Sequence, residues 1–202
     1  MPMRQDGVDV RPIERADGTA GFCEVFLDGA TVPEDGLVGA VNDGWRVATT
    51  TLAHERGTSS TTNYWRFKRE VDAVAREAAA SRVVGPESRI ELARAWSQVE
   101  ILRANYLRLL AAGDRLSSSE LFLTAANKLI WSEYHQRFTE LRMRTLGLAG
   151  LRTDAGSGDG TSRSALTPTQ VEYLFARSET IWGGTSEIQR NIVGERALGL
   201  PR

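Results

Sequence analysis

Three long runs of apolar residues at helical spacing restrict this 202-residue chain more than any other feature. Phe67, Val71, Val74, Ala75 and Ala78 recur at i, i+4, i+7, i+8 and i+11, one stripe of a helix from about Asp43 to Ala80. Leu92, Trp96, Val99, Leu102, Tyr106 and Leu109 make a second stripe, bounded by Gly85-Pro86 and Gly113-Asp114. Ser117 to Ser119 supply caps for a third helix, with Ile130, Tyr134, Phe138 and Leu141 on one face and Gly147 at its end. Thr167-Pro168 opens a fourth, carrying Val171, Leu174 and Phe175. Long amphipathic helices with short connections predict an up-down four-helix bundle, followed by a short extra helix after Gly183-Gly184. Between the third and fourth helices, Gly150 to Ser164 is a Gly/Ser/Asp/Thr-rich loop, read as mobile.

The first 42 residues read differently. Val8, Val10 and Pro12 alternate with polar residues, Phe22 to Leu27 is rich in strand formers, and turn signals stand at Asp17-Gly18, Asp28-Gly29 and Glu34-Asp35-Gly36. The expectation is three short strands over residues 8 to 38, an antiparallel β remnant too small to stand alone. Residues 1–42 are therefore assigned to a partial β-domain and 43–202 to the bundle.

Composition narrows the function. The net charge of −1 disfavours nucleic acid or an anionic membrane as main partner. No apolar run reaches the roughly 18 residues of a membrane span, and the N-terminal residues lack a signal-peptide core. A single cysteine, Cys23, excludes an intramolecular disulfide, and two histidines far apart, His54 and His135, predict no metal centre. A cytoplasmic protein is the expectation. His135 is read as a structural or surface histidine. Trp45, Trp65, Trp96 and Trp131 are read as core or interface anchors.

The stretch Arg177 to Asn191, R-S-E-T-I-W-G-G-T-S-E-I-Q-R-N, holds the chemistry. Gly183-Gly184 permits a sharp bend and close approach, and Thr185 caps a helix carrying Ser186 and Glu187 in its first turn. Such a corner seats a phosphate or pyrophosphate, or is simply a capped helix–turn–helix; the residues alone leave both open.

The string I-W-G-G-T-S-E-I-Q-R-N-I followed by G-E-R-A-L-G-L-P-R resembles the C-terminal signature of the acyl-CoA dehydrogenase family. Its members are flavoproteins of lipid metabolism that desaturate acyl thioesters between Cα and Cβ. The strings D-G-V-D-V-R-P-I, F-C-E-V-F-L-D-G-A-T-V-P and L-V-G-A-V-N-D-G-W-R-V-A resemble the end of the family's β-domain and the entry to its bundle. The resemblance implies FAD as cofactor, an acyl-CoA substrate, and reoxidation by an electron-transferring flavoprotein. A carboxylate removes the α-proton while the β-hydride moves to the flavin, and the base works from a dry pocket that lifts its pKa.

Many members carry that base immediately before G-T-S, where this chain has Gly183. A second arrangement places it on the first bundle helix in a string like L-x-x-E-R. Leu52-Ala53-His54-Glu55-Arg56 matches it, which makes Glu55 the implied base; a surface carboxylate paired with a neighbouring cation is the alternative. Arg56 resembles the residue that helps position the thioester. Thr185, Ser186 and Glu187 match flavin contacts, and Gly184 a position against the substrate.

Members are usually about twice as long, and no R-x-x-F-G string occurs between Val71 and Glu91. The resemblance thus implies that the flavin site is completed by self-association, as dimer or tetramer, or by a partner chain supplying N-terminal domains. A catalytically silent bundle beside a full-length partner is the competing reading. A plain helical interaction module does not account for the signature.

Overall fold

The computed structural model describes residues 1–80, 85–112, 118–153 and 166–201, excepting the side chains of residues 53–62 and 118–121. The chain falls into two units, one from Met1 to Glu55 and one from Arg56 to Thr153 with Leu166 to Arg202.

In the first unit, β1 (Val8–Ile13) pairs antiparallel with β2 (Phe22–Leu27), in a register running from Val8↔Leu27 to Ile13↔Phe22. The connection turns at Gly18, whose φ of 75° needs no Cβ, and the Asp17 carboxylate accepts from the Thr19 N–H at 2.9 Å. The expected third strand is absent. After Pro33, whose ring fixes φ, Glu34–Gly36 winds into a 3₁₀ turn instead of extending. Val10, Val25, Phe26 and Leu27 all remain exposed on the ribbon.

The bundle has three long helices, α1 (Gly44–Ala80), α2 (Pro86–Ala112) and α3 (Ser118–Leu146). The shorter α4 (Pro168–Ala176) and α5 (Ser186–Ile192) follow. A π-helical turn, Val193–Ala197, succeeds α5. Gly150–Thr153 enters the expected Gly/Ser-rich loop, the bulk of which, 154–164, lies outside the described residues.

In α1 the buried residues are Tyr64, Phe67, Val71, Val74 and Ala78, alternating steps of three and four that keep one face toward its neighbours. The first four meet Ala95, Val99 and Leu102 of α2 and Trp131, Tyr134 and Phe138 of α3 in one cluster. Phe67 is at its centre, 5.3 Å edge-to-face from Tyr134 and 6.2 Å from Trp131. Trp131 is buried as expected, whereas Trp45, Trp65 and Trp96 are exposed. Val99 and Leu102 of the expected α2 stripe are buried, with Ala95 rather than Trp96 beside them in the core. Trp96 instead edges a groove of about 710 Å³ between α1 and α2, with Val71, Ala78, Leu92 and Ala93.

Phe67→Ala is expected to cost ~3–5 kcal/mol, from lost burial plus the cavity left between three helices. Urea unfolding of the full chain measures it, and a loss under 1 kcal/mol would contradict this core.

Candidate functional site

The corner is built from α4 onward. Thr167 caps α4 in a reciprocal box, its N–H donating to Gln170 Oε1 at 2.8 Å, with Pro168 at the first helical position. Past Ala176 the chain tightens into a 3₁₀ turn, Ser178–Thr180, and Trp182 Nε1 donates to Ser178 Oγ at 3.0 Å. The Trp182 ring lies 5.6 Å from Trp131 and 6.3 Å from Phe175. Gly183 and Gly184 follow with φ of 67° and 95°, the left-handed region open to glycine. Thr185 then caps α5, its hydroxyl accepting from the Ile188 N–H at 3.3 Å.

The two glycines differ in their surroundings. A Cβ on Gly184 would stand 2.4 Å from Gln189 Nε2, which itself donates to Gly183 O at 3.0 Å. A Cβ on Gly183 would meet only Lys128 Cε at 3.7 Å. Both positions favour glycine by their φ, with buried Gln189 additionally crowding Gly184, while Gly183 is an exposed, bare backbone. Gln189 Oε1 is buried without a hydrogen-bond partner among the described residues. An unfilled acceptor beneath a Cβ-free approach fits a ligand that brings hydrogen-bond donors to this corner.

Of the residues matched to the corner, Gly184, Thr185, Ser186 and Glu187 come together here. Ser186 is buried, so its side chain is turned from solvent, while Glu187 is exposed. The Glu187 carboxyl is held below its ordinary pKa by its own backbone N–H and by Thr185. Glu55 and Arg56 fall within α1, and their side chains lie outside the described residues.

Behind the corner is a cluster of charges that sequence reasoning missed. His135 of α3 has no solvent exposure and pairs through Nδ1 with Glu179 Oε2. Its Nε2 lies 3.3 Å from Glu70 Oε2 of α1 and 3.8 Å from Glu172 Oε1 of α4. Arg66 Nη2 donates to Glu179 Oε1 at 2.9 Å, and Arg142 Nη1 to Glu172 Oε2 at 3.0 Å. Arg66 Nη2 also lies 2.9 Å from Nδ1, but a carboxylate faces each ring nitrogen, and this pairing favours His135 as an imidazolium.

Burial opposes that charge, but hydrogen bonds with Glu172, Glu179 and Glu70 outweigh it and push the His135 pKa up to about 10. Its bond with His135 in turn brings Glu172 down to about 2. Lys128, buried beneath Gly183, is lowered by desolvation and donates to Glu179 O at 2.8 Å. Glu70, His135 and Glu172 offer ligand atoms within 4.8 Å of one another, the spacing of a metal site. Arg66 and Arg142 together with the imidazolium already balance the three carboxylates, so a proton suits the cluster better than a dication. The signal available in the sequence was His135 itself, one turn after Trp131 on an otherwise apolar face.

Stability follows from these shifts with opposite signs. The His135 contribution, from a raised pKa, is complete below pH 6.5 and lost as pH rises through about 10. The Glu172 contribution, from a lowered pKa, holds above pH 4.5 and fades as pH falls through about 2. Denaturant midpoints recorded from pH 6.5 to 10 should fall in wild type, and in His135→Gln should start lower and stay level. A level wild-type curve would contradict the charged assignment.

The profile of the acyl-CoA dehydrogenase C-terminal domain matches residues 42–198. The acyl-CoA dehydrogenase IpdE1 of Mycobacterium tuberculosis is 39% identical, over 100% of this chain and 50% of that protein. The solved structure of the Tcur3481-Tcur3483 steroid ACAD superposes with a TM-score of 0.82 at 26% identity, over 100% of this chain and 51% of that one. The ChsE4-ChsE5 complex from Mycobacterium tuberculosis gives 0.76 at 25% identity, over 100% and 52%. The chain spans about half the length of the curated IpdE1 relatives it matches. No described helix is long and apolar enough to cross a membrane. With its C-terminal signature, its helical bundle and a profile match over most of its length, the chain belongs to the acyl-CoA dehydrogenase family.

Proposed function

We propose that this chain forms part of an FAD-dependent acyl-CoA dehydrogenase in which Glu55 is the base. The observation that carries the reading is the pairing of Gly183, a residue unable to accept a proton, with a glutamate in L-A-H-E-R on α1. The two family positions for the base are thus filled in a complementary way. Glu55 takes the α-proton of the thioester, Arg56 helps hold the thioester in place, and Gly184 lies against the substrate. Thr185, Ser186 and Glu187 contact the cofactor, Ser186 through its backbone because its side chain is buried. FAD, if bound, would supply the acceptor for the hydride leaving the β-carbon, and an electron-transferring flavoprotein would reoxidise it.

Residues 1–42 are read as the end of the family's β-domain and 43–202 as its bundle. The rest of the flavin site would come from a second polypeptide, from further copies of this chain, or from residues outside this sequence. Similarity to the Tcur3481-Tcur3483 steroid ACAD and to the ChsE4-ChsE5 complex favours a partner chain over self-association. The steroid named for the first favours a bulky, steroid-derived acyl-CoA over a straight fatty acyl chain. The exposed apolar residues of the ribbon and of α2 suit such an assembly.

The test isolates the assembly through a tag on this chain and records flavin absorbance before and after acyl-CoA. Wild type should bleach. Glu55→Gln should retain flavin and bleach at least ~10²-fold more slowly, the contribution of a positioned base. Equal bleaching rates would assign the chain to a silent, supporting role instead.

A further inference from the structure

Glu179 is tied down at both its side chain and its main chain, four residues before Gly183. The carboxylate, without solvent exposure, accepts from Arg66 of α1 and pairs with His135 of α3. Its carbonyl accepts from Lys128 Nζ, whose own stem passes beneath Gly183. Between Glu179 and the corner, Thr180 Oγ1 accepts from Gln136 Nε2 at 2.9 Å. Beyond the corner, buried Gln189 grips Gly183 O from the α5 side. The segment entering the corner is therefore held on α3 by directed bonds.

An apolar anchor would fill the same space without the desolvation cost of a buried carboxylate. What it would lack is direction. Apolar contacts tolerate sliding along a helix face, whereas bonds from Arg66, His135 and Lys128 meet Glu179 in a single arrangement. A corner that presents bare backbone to a ligand depends on being held at a fixed height above α3, because Gly183 and Gly184 cannot stiffen themselves.

We propose that Glu179 is a positioning residue. Through it, the buried charges of α1 and α3 set the placement of the Gly183–Thr185 corner, and with it the contact to cofactor and substrate. This rests on the reading of that corner as a ligand contact.

Amide hydrogen exchange on the full chain tests it without needing a ligand. The reporters are the N–H groups of Ile181 and Trp182, bonded to Ser178 O, and those of Ile188 and Gln189, bonded to Thr185. Glu179→Gln and, should that variant fold poorly, Lys128→Met are compared with wild type. Exchange at these four amides should rise roughly tenfold or more, while amides at Val99 and Leu102 in the core keep their rates. In the isolated assembly, flavin affinity should fall in the same variants.

A uniform rise across the bundle, or no rise at the corner, would overturn the proposal and leave Glu179 as a general stabiliser. A loosened corner with unchanged flavin affinity would overturn it as well. A wild-type assembly that binds no flavin would instead remove the ligand reading, and the exchange data would still decide whether Glu179 places the corner.

Discussion

An imidazole with carboxylates facing both of its nitrogens is favoured in its protonated form, and that proton is what the bundle closes around. His135 lies on α3, Glu70 on α1, Glu172 on α4 and Glu179 on the turn that leads to the glycine corner. Remove the positive charge and Glu70, Glu172 and Glu179 lose the cation that lies between them, leaving Arg66, Arg142 and Lys128 at their edges, a costly arrangement. With it, carboxylates from three other segments face one ring, Glu179 through a hydrogen bond and Glu70 and Glu172 as ion pairs. The apolar cluster around Phe67 supplies most of the burial, and the imidazole packs against the Phe67 ring at a tilt, with centroids 4.9 Å apart. The two layers divide the labour: the apolar contacts favour compactness, and the charged ones select one placement.

Placement is also where structure and chemistry meet. The corner itself is two glycines and a capping threonine, conformationally permissive residues that owe their geometry to what lies beneath. Lys128 and Gln189, both buried, hold the carbonyls of Glu179 and Gly183. The prohibition on a side chain at Gly184 and the openness at Gly183 follow from that support. A family in which one of these positions often carries a base can leave it as bare backbone when the base is supplied from another helix.

Much of this was legible from spacing alone. The α1 stripe, the Thr167-Pro168 start and the Thr185 cap are local patterns, each read within one or two turns, and each is present. Trp96, on the edge of a stripe whose Val99 and Leu102 are buried, stays exposed in the single chain because a helical stripe fixes a face only to within about one residue. The residues 31–38 lost their strand to the preference of Pro33 and its neighbours for a tight turn. The charge cluster was invisible for another reason. Its partners are separated by 44 residues between His135 and Glu179 and 113 between Arg66 and Glu179, and no periodicity links them. The proposed base, Glu55, comes from family resemblance rather than from any local physical signal.

The most direct test of the account is the protonation state of His135, read from imidazole ¹⁵N shifts of the full chain as pH is raised, with His135→Gln assigning the signal against His54. The account predicts two protonated nitrogens from pH 6.5 upward, persisting until about pH 10. A neutral ring titrating near 6.5, the value of an unperturbed histidine, would contradict it. Glu70, Glu172 and Glu179 would then lack the charge that holds them together.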